Sequence, residues 1–372
     1  MTRTDVTGGY VGAAATISAD DVPVLFEGAK FYSSAVTEVG YATVLAWTVN
    51  VLRRNGPVRL VRPETLPPQT RCVALCSIGS GPAVADLPPA GDEFSGAITE
   101  LEQLTGAPFG AVYPLAAATI SALYPLAAAS QLGLPLIDAD GMGRAFAIVQ
   151  HTAMRLAGIA PAPLVLRGAT GESVAIQLGV PARMDRLLRS NVDTLGGWAA
   201  LAAYPATAGE LRHAALPGTM SRLLNVGRLL LESHDPDVLV ARLAAVTGCR
   251  RIGRGRIVEL EHHSRPSDVT LPAHPSSIVI EEVGGQDRLL RLELRSEIVA
   301  VFADGALVAA APDLICLLDV LRGELSTLDA LRPGDLVDVL VMPADAVWYS
   351  AAGLAMVGPA SHGIPLDHPR RR

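Results

Sequence analysis

Residues Leu134 to Phe146 read Leu-Pro-Leu-Ile-Asp-Ala-Asp-Gly-Met-Gly-Arg-Ala-Phe, an apolar run that stops on two acids, two glycines and an arginine. Leu134, Leu136 and Ile137, started by Pro135, suit a short strand buried in a parallel sheet. Gly141 and Gly143 let the backbone turn tightly and approach a ligand closely, and Arg144 opens a helical pattern through Phe146, Ile148 and Val149. In open α/β sheets ligands bind outside the carboxyl ends of strands, where these residues fall. Asp138 and Asp140 alternate with Ala139, so an extended chain turns both carboxylates to one side. There they could bind a divalent metal, or one could act as a base. The competing reading makes one of them the cap of the following helix, with Arg144 paired to it.

Outward from this stretch, Gly106 to Ile137 runs without a charge. It does not read as a membrane span, because Pro108, Pro114, Pro125 and Pro135 punctuate it and small residues dominate. Phe109 to Tyr113, an Ala-rich helix and the strand at Leu134 instead form a buried β-α-β unit. Upstream, Val22 to Arg53 is helical around a Gly28 to Gly40 middle that holds Ser33 and Ser34. Val58 to Val61 and Val73 to Ile78 are β-rich, and Gly96 to Leu104 is a short helix. Downstream the helical reading continues to Leu156. Leu164 to Leu166 and Val174 to Leu178 pair as strands, and Arg183 to Leu195 and Thr219 to Glu232 are helices, the second capped by Thr219 or Ser221. Near Gly248 the texture changes to short β runs separated by Gly, Asp or Pro turns, which suggests a small barrel or sandwich.

The fold class is therefore α/β. An N-terminal α/β domain with a parallel sheet spans 20–247, a smaller β-barrel-like domain spans 248–345, and a tail at 346–372 packs back near the domain interface. A chain of 372 residues has room for two such cores. The net charge of −7, with no arginine stripe interleaved with aromatics, argues against nucleic acid and for a small-molecule ligand. Lys30 is the one lysine among 30 basic residues, so a Schiff-base mechanism would have to use it. Cys72, Cys76, Cys249 and Cys316 lack the spacing of a zinc cage or a disulfide framework, and no signal peptide opens the chain. Both point to a reducing cytoplasm. Phosphate-loop, dinucleotide and nucleophile-elbow motifs are absent, so no nucleotide cofactor is expected. Assembly into a homo-oligomer stays open.

Further segments carry a resemblance. Ile137 to Phe146, then Gly158-Ile159-Ala160-Pro161-Ala162-Pro163, Leu216-Pro217-Gly218-Thr219-Met220-Ser221, Pro312-Asp313-Leu314-Ile315 and Val357-Gly358-Pro359, resemble the S-methyl thiohydantoin desulfurase family over about Glu27 to Pro369. The resemblance implies an α/β domain followed by a β-barrel-like domain, and an enzyme of small cyclic amides such as hydantoins, metal-dependent or not. Two departures fall in its site. The family's Gly-rich run after the first helix is replaced by Tyr32-Ser33-Ser34-Ala35-Val36, and its Pro-x-Glu-x-Gly-Gly-x-Asn element falls on Pro114 to Ser121, with Ala116 for Glu and Ser121 for Asn.

The candidate groups are then Asp140, His151 and His362 for catalysis, and Ser33, Ser34, Gly141, Gly143, Arg144 and Thr219 for substrate. Asp138 and Asp140 are the metal candidates. His151 falls about two turns past Arg144 on the expected helix, and His362 stands in the tail where the resemblance has an aromatic. His262-His263 with Glu259 and Glu261 has a metal-like composition, but adjacent residues on a strand point to opposite faces, so a solvated loop is the better reading. The reading is a divergent enzyme with hydrolase- or lyase-type chemistry on a cyclic amide or related heterocycle, biosynthesis included. The alternative is a non-catalytic member that binds a ligand or partner subunit.

Overall fold

The computed structural model describes residues 15–33, 40–79, 81–89, 91–177, 181–233, 235–262, 276–295 and 297–369. Ser34 and His263 lie outside them. The first sheet has eight strands, in the order Ala15–Ile17, Val58–Val61, Leu136–Ile137, Ala111–Pro114, Arg71–Gly79, Trp198–Thr207, Leu164–Gly168 and Ser173–Ile176. The four from Val58–Val61 to Arg71–Gly79 run parallel. Antiparallel neighbours flank them on both sides, so the sheet is mixed.

Period-two alternation divides this sheet between two apolar cores. Val73, Leu75, Trp198, Ala200 and Ala202 enter one, and Cys72, Ala74, Cys76, Ala199, Leu201 and Ala203 enter the other. Phe94 stacks between Tyr124 and Trp198 in the first, with ring centroids 4.1 and 5.8 Å away. The charge-free run becomes the helix Leu123–Leu132, buried from Leu123 through Ser130. A helix apolar all round belongs inside a core. Among the described residues no helix is long and apolar enough to cross a membrane, and all four cysteines are free and buried.

The second sheet is antiparallel throughout. Its order is Ala306–Ala310, Ile298–Ala303, Leu289–Leu294, Ser277–Glu282, Arg250–Glu261, Leu336–Met342, Leu314–Asp319 and Glu324–Leu325. No ladder among the described residues joins its two edge strands, so the expected barrel is not closed by hydrogen bonds. Ile315 and Leu317 face this sheet's own core, while Leu314, Cys316 and Leu318 enter the first core of the α/β sheet. That shared core fixes the two sheets against each other.

Two glycines set the helix pair that reaches the site. A Cβ on Gly28 would meet the Leu223 carbonyl oxygen at 1.8 Å, and one on Gly227 would meet that of Val24 at 1.8 Å. The helices Val22–Phe31 and Thr219–Glu232 therefore cross backbone to backbone. In this antiparallel register the end of the first helix, at Tyr32 and Ser33, lies opposite Thr219.

Several local readings change. Arg144 to His151 is irregular, and the helix there is only Ala153–Leu156, capped by Thr152, whose Oγ1 accepts from Arg155 N–H at 3.1 Å. His151 thus precedes a helix rather than riding on one. Helix Pro236–Thr247 and strands Trp198–Thr207 and Leu314–Asp319 are additional elements. The alanines of Trp198–Thr207 favour helix in isolation, but burial between two cores overrides that preference.

Candidate functional site at the domain interface

Asp138 and Asp140 leave the strand end in a two-stranded pairing with Leu216–Pro217. Asp138 accepts from the Ser221 backbone N–H at 3.0 Å and from the Ser221 hydroxyl at 2.5 Å, and its own carbonyl accepts from Gly218 N–H at 2.8 Å. It caps the helix Thr219–Glu232 from outside, where Gly218 supplies no side-chain cap. Thr219 is buried beside it, its hydroxyl without a hydrogen-bond partner among the described residues.

The sequence reading aims Asp140 at a ligand or metal. Here its carboxylate accepts from Ala117 N–H at 2.6 Å, Gly143 N–H at 2.8 Å and Met142 N–H at 3.2 Å, and the side chain is fully buried. It pins the glycine turn to the end of Ala111–Pro114. Burial pushes its carboxyl up to about 7, against the lowering by the Ala117 N–H, Arg222 and the Gly143 N–H. A carboxyl raised on folding stabilises the protein most below its unfolded value and loses that contribution as pH rises through the folded value. Stability carried by Asp140 should therefore fall between about pH 4 and pH 7. Urea unfolding across this range should show the fall, and Asp140→Asn should remove that component. A variant with an unchanged profile would assign the slope to another group.

Arg144 is held by protein partners. It is 1% exposed. One guanidinium nitrogen donates to the carbonyls of Pro312 and Asp313, both at 2.8 Å, and another pairs with Glu297. Phe146 lies under the guanidinium at 4.9 Å. The fork that suits a planar ligand thus fastens the turn to the second sheet. The glycines serve protein neighbours as well. A Cβ on Gly141 would meet Met154 at 2.6 Å, and one on Gly143, whose φ is +73°, would meet the Asp345 Oδ2 at 2.2 Å.

That last approach marks a cavity of about 90 Å³ between the two sheets, walled by Tyr32, Gly143, Arg144, Arg222, Leu314 and Asp345 among others. Arg222 donates to Asp345 at 3.3 to 3.5 Å. Its guanidinium lies 5.8 Å from the Tyr32 ring centroid. Burial pushes the Tyr32 hydroxyl up to about 12, so it stays protonated at neutral pH. Tyr32, Arg222 and Asp345 were not among the sequence candidates. Arg222 adjoins the family-like Leu216 to Ser221 segment, which is a usable signal, whereas nothing in the sequence joins it to Asp345, 123 residues away.

His151 and His362 do not line this cavity. Burial first, then His362 and Arg155, push His151 down to about 4, and burial lowers His362 as well. His151 is therefore neutral at neutral pH, below the range in which an unperturbed catalytic histidine titrates. The tail packs beside them. Trp348 donates to the Met142 carbonyl at 3.0 Å, and its ring meets Phe146 at 5.0 Å. Ser33 is buried next to Tyr32. For a metal the donors do not fit, since both aspartates are taken up by the bonds above and no cluster of three His, Cys, Asp or Glu able to hold an ion occurs among the described residues. His262 lies at the end of a strand, and no metal cluster forms there among the described residues.

The family models match along nearly the whole chain: "S-Me-THD-like, N-terminal domain" on residues 20–178 and "S-Me-THD-like, C-terminal domain" on residues 180–370. The chain belongs to the S-Me-THD-like family. A crystal structure of a protein from Chromobacterium violaceum has the same fold, with a TM-score of 0.77 and 21% identity over 96% of this chain and 99% of that one. No curated protein matches the chain.

The backbone at one substituted position takes a conformation that suits glycine. The second glycine of the family element falls on Thr119, which holds a φ of +47°. A β-branched residue is strained there by about 1–2 kcal/mol. Thr119→Gly should relieve that strain but add unfolded-chain entropy worth ~0.4–1 kcal/mol, leaving a net gain between about 0 and about 1.6 kcal/mol. Denaturant midpoints would check this, and a loss of stability would show that the threonine side chain contributes packing.

Proposed function

We propose that this S-Me-THD-like protein binds a small cyclic amide, hydantoin-like or a related heterocycle, in the cavity at Tyr32, Arg222 and Asp345, and acts on it by hydrolase- or lyase-type chemistry. The observation that carries this reading is the convergence on one cavity of the family turn at Gly143, the helix end bearing Arg222, and Asp345 just past the strand Leu336–Met342. Arg222 is placed to polarise a ring carbonyl. The Tyr32 hydroxyl and the Asp140 carboxyl are the nearby groups able to hold a proton at neutral pH. Titration calorimetry with hydantoin and S-methyl thiohydantoin, paired with product analysis, tests both halves. Arg222→Met should weaken binding at least tenfold, and unchanged affinity in that variant would move the site elsewhere.

One observation favours a second reading. Alanine stands at 116 where the resemblance has Glu, and both aspartates of the turn are occupied by protein donors. A ligand that raises the melting temperature without being converted would support a non-catalytic member that binds ligand or a partner subunit.

A further inference from the structure

The Arg222–Asp345 pair is loosely made. Its three N···O separations are 3.3, 3.5 and 3.4 Å, against about 2.7–2.9 Å for a settled charge-assisted pair. The side chains keep 35% and 28% of their exposure, and the buried Nε of Arg222 has no hydrogen-bond partner among the described residues. Asp345 sits close against Gly143, its Oδ2 2.2 Å from where a Cβ would lie. The wall of the cavity therefore presents a loosely held, partly exposed guanidinium beside a carboxylate with acceptor sites to spare. The charge of Arg144, which also walls the cavity, is taken by Glu297.

We propose that Asp345 sets the charge specificity of this cavity: with Arg222 it receives the neutral donor–acceptor edge of a cyclic amide or ureide and turns away a carboxylate. The inference deepens the proposed function and rests on it. A ring carbonyl accepts from a terminal N–H of the Arg222 guanidinium, and the adjacent ring N–H donates to Asp345. A carboxylate of similar size meets Asp345 with only Arg222 to offset it, and like charges at close range in a half-desolvated site are repelled. Hydrolytic opening of a cyclic amide adds water across the C–N bond and leaves a carboxylate at neutral pH. The pair thus separates a closed ring from its own ring-opened acid.

The test is calorimetric titration of the full-length protein with hydantoin and with N-carbamoylglycine, its ring-opened acid, at neutral pH. The wild type should bind the ring at least tenfold more tightly. Asp345→Asn should reverse the order, with the acid gaining at least tenfold and the ring losing. Asp345→Ala, which removes the acceptor without adding a donor, should do the same and guards against a misfolded Asn variant. Equal binding of the two ligands, or a preference unchanged by both substitutions, would overturn the role of Asp345 while leaving the cavity as the binding site. Binding of neither ligand by the wild type would overturn the cavity reading and this inference together.

Discussion

Gly227→Ala should destabilise the protein by about 3 kcal/mol or more, at the upper end of overpacking costs. Helix propensity alone argues the opposite, since alanine is better than glycine in a helix interior by roughly 0.5–1 kcal/mol. The clash decides the sign. The added carbon would lie 1.8 Å from the Val24 carbonyl oxygen and 3.0 Å from the Gly28 nitrogen. Both are backbone atoms, so no side chain can swing aside and the two helices must part. Parting them would also pull Tyr32 away from Arg222, so ligand binding should fall with stability. Gly91→Ala is the matched control, because its Cβ would meet nothing within 4 Å, and it should stay within about 0.5 kcal/mol of the wild type. Denaturant unfolding of the two variants makes the comparison. Equal midpoints would mean that the helix crossing is looser than described.

The second large effect is expected at Arg144. Arg144→Met removes two hydrogen bonds to the Pro312 and Asp313 carbonyls and takes from Glu297, itself 5% exposed, the cation it pairs with. Removing one partner of a buried ion pair costs about 3–5 kcal/mol, chiefly because a charge stays buried without its counterion. Arg144→Lys should recover little, since a single ammonium cannot serve both carbonyls and the carboxylate in the fork geometry of a guanidinium. The double variant Arg144→Met with Glu297→Leu should regain part of the loss by removing both charges. Thermal unfolding separates these outcomes. An Arg144→Lys protein of wild-type stability with weakened ligand binding would return Arg144 to the ligand role that its sequence context suggests.

How much of this was legible in the residues varies by element. Thr219–Glu232 could be read to its ends, because its apolar spacing is regular and Pro217-Gly218 stops the chain before it. The strand Val58–Val61 and the short β runs after Gly248 were equally legible from β-rich sequence between turn residues. Trp198–Thr207 was not, since Ala-rich sequence carries no strand period and its conformation is imposed by neighbours on both faces. The helical spacing after Arg144 misled because the chain there follows Arg144 to the second sheet and Phe146 to Trp348 instead of its own local preference.

Sequence alone therefore determined the family and the α/β then β order of the chain. Local pattern and turn chemistry suffice for those, because they depend on residues near one another in the chain. Only the tertiary structure decided what each polar group does. Asp140 and Arg144 looked free to meet a ligand, yet buried backbone groups must find partners, and the nearest donors and acceptors took both side chains. The cavity was assigned instead to Tyr32, Arg222 and Asp345, brought together by a glycine-mediated helix crossing and a core shared between two sheets. Those are contacts between distant segments, and no periodicity encodes which distant residue will fill a given space.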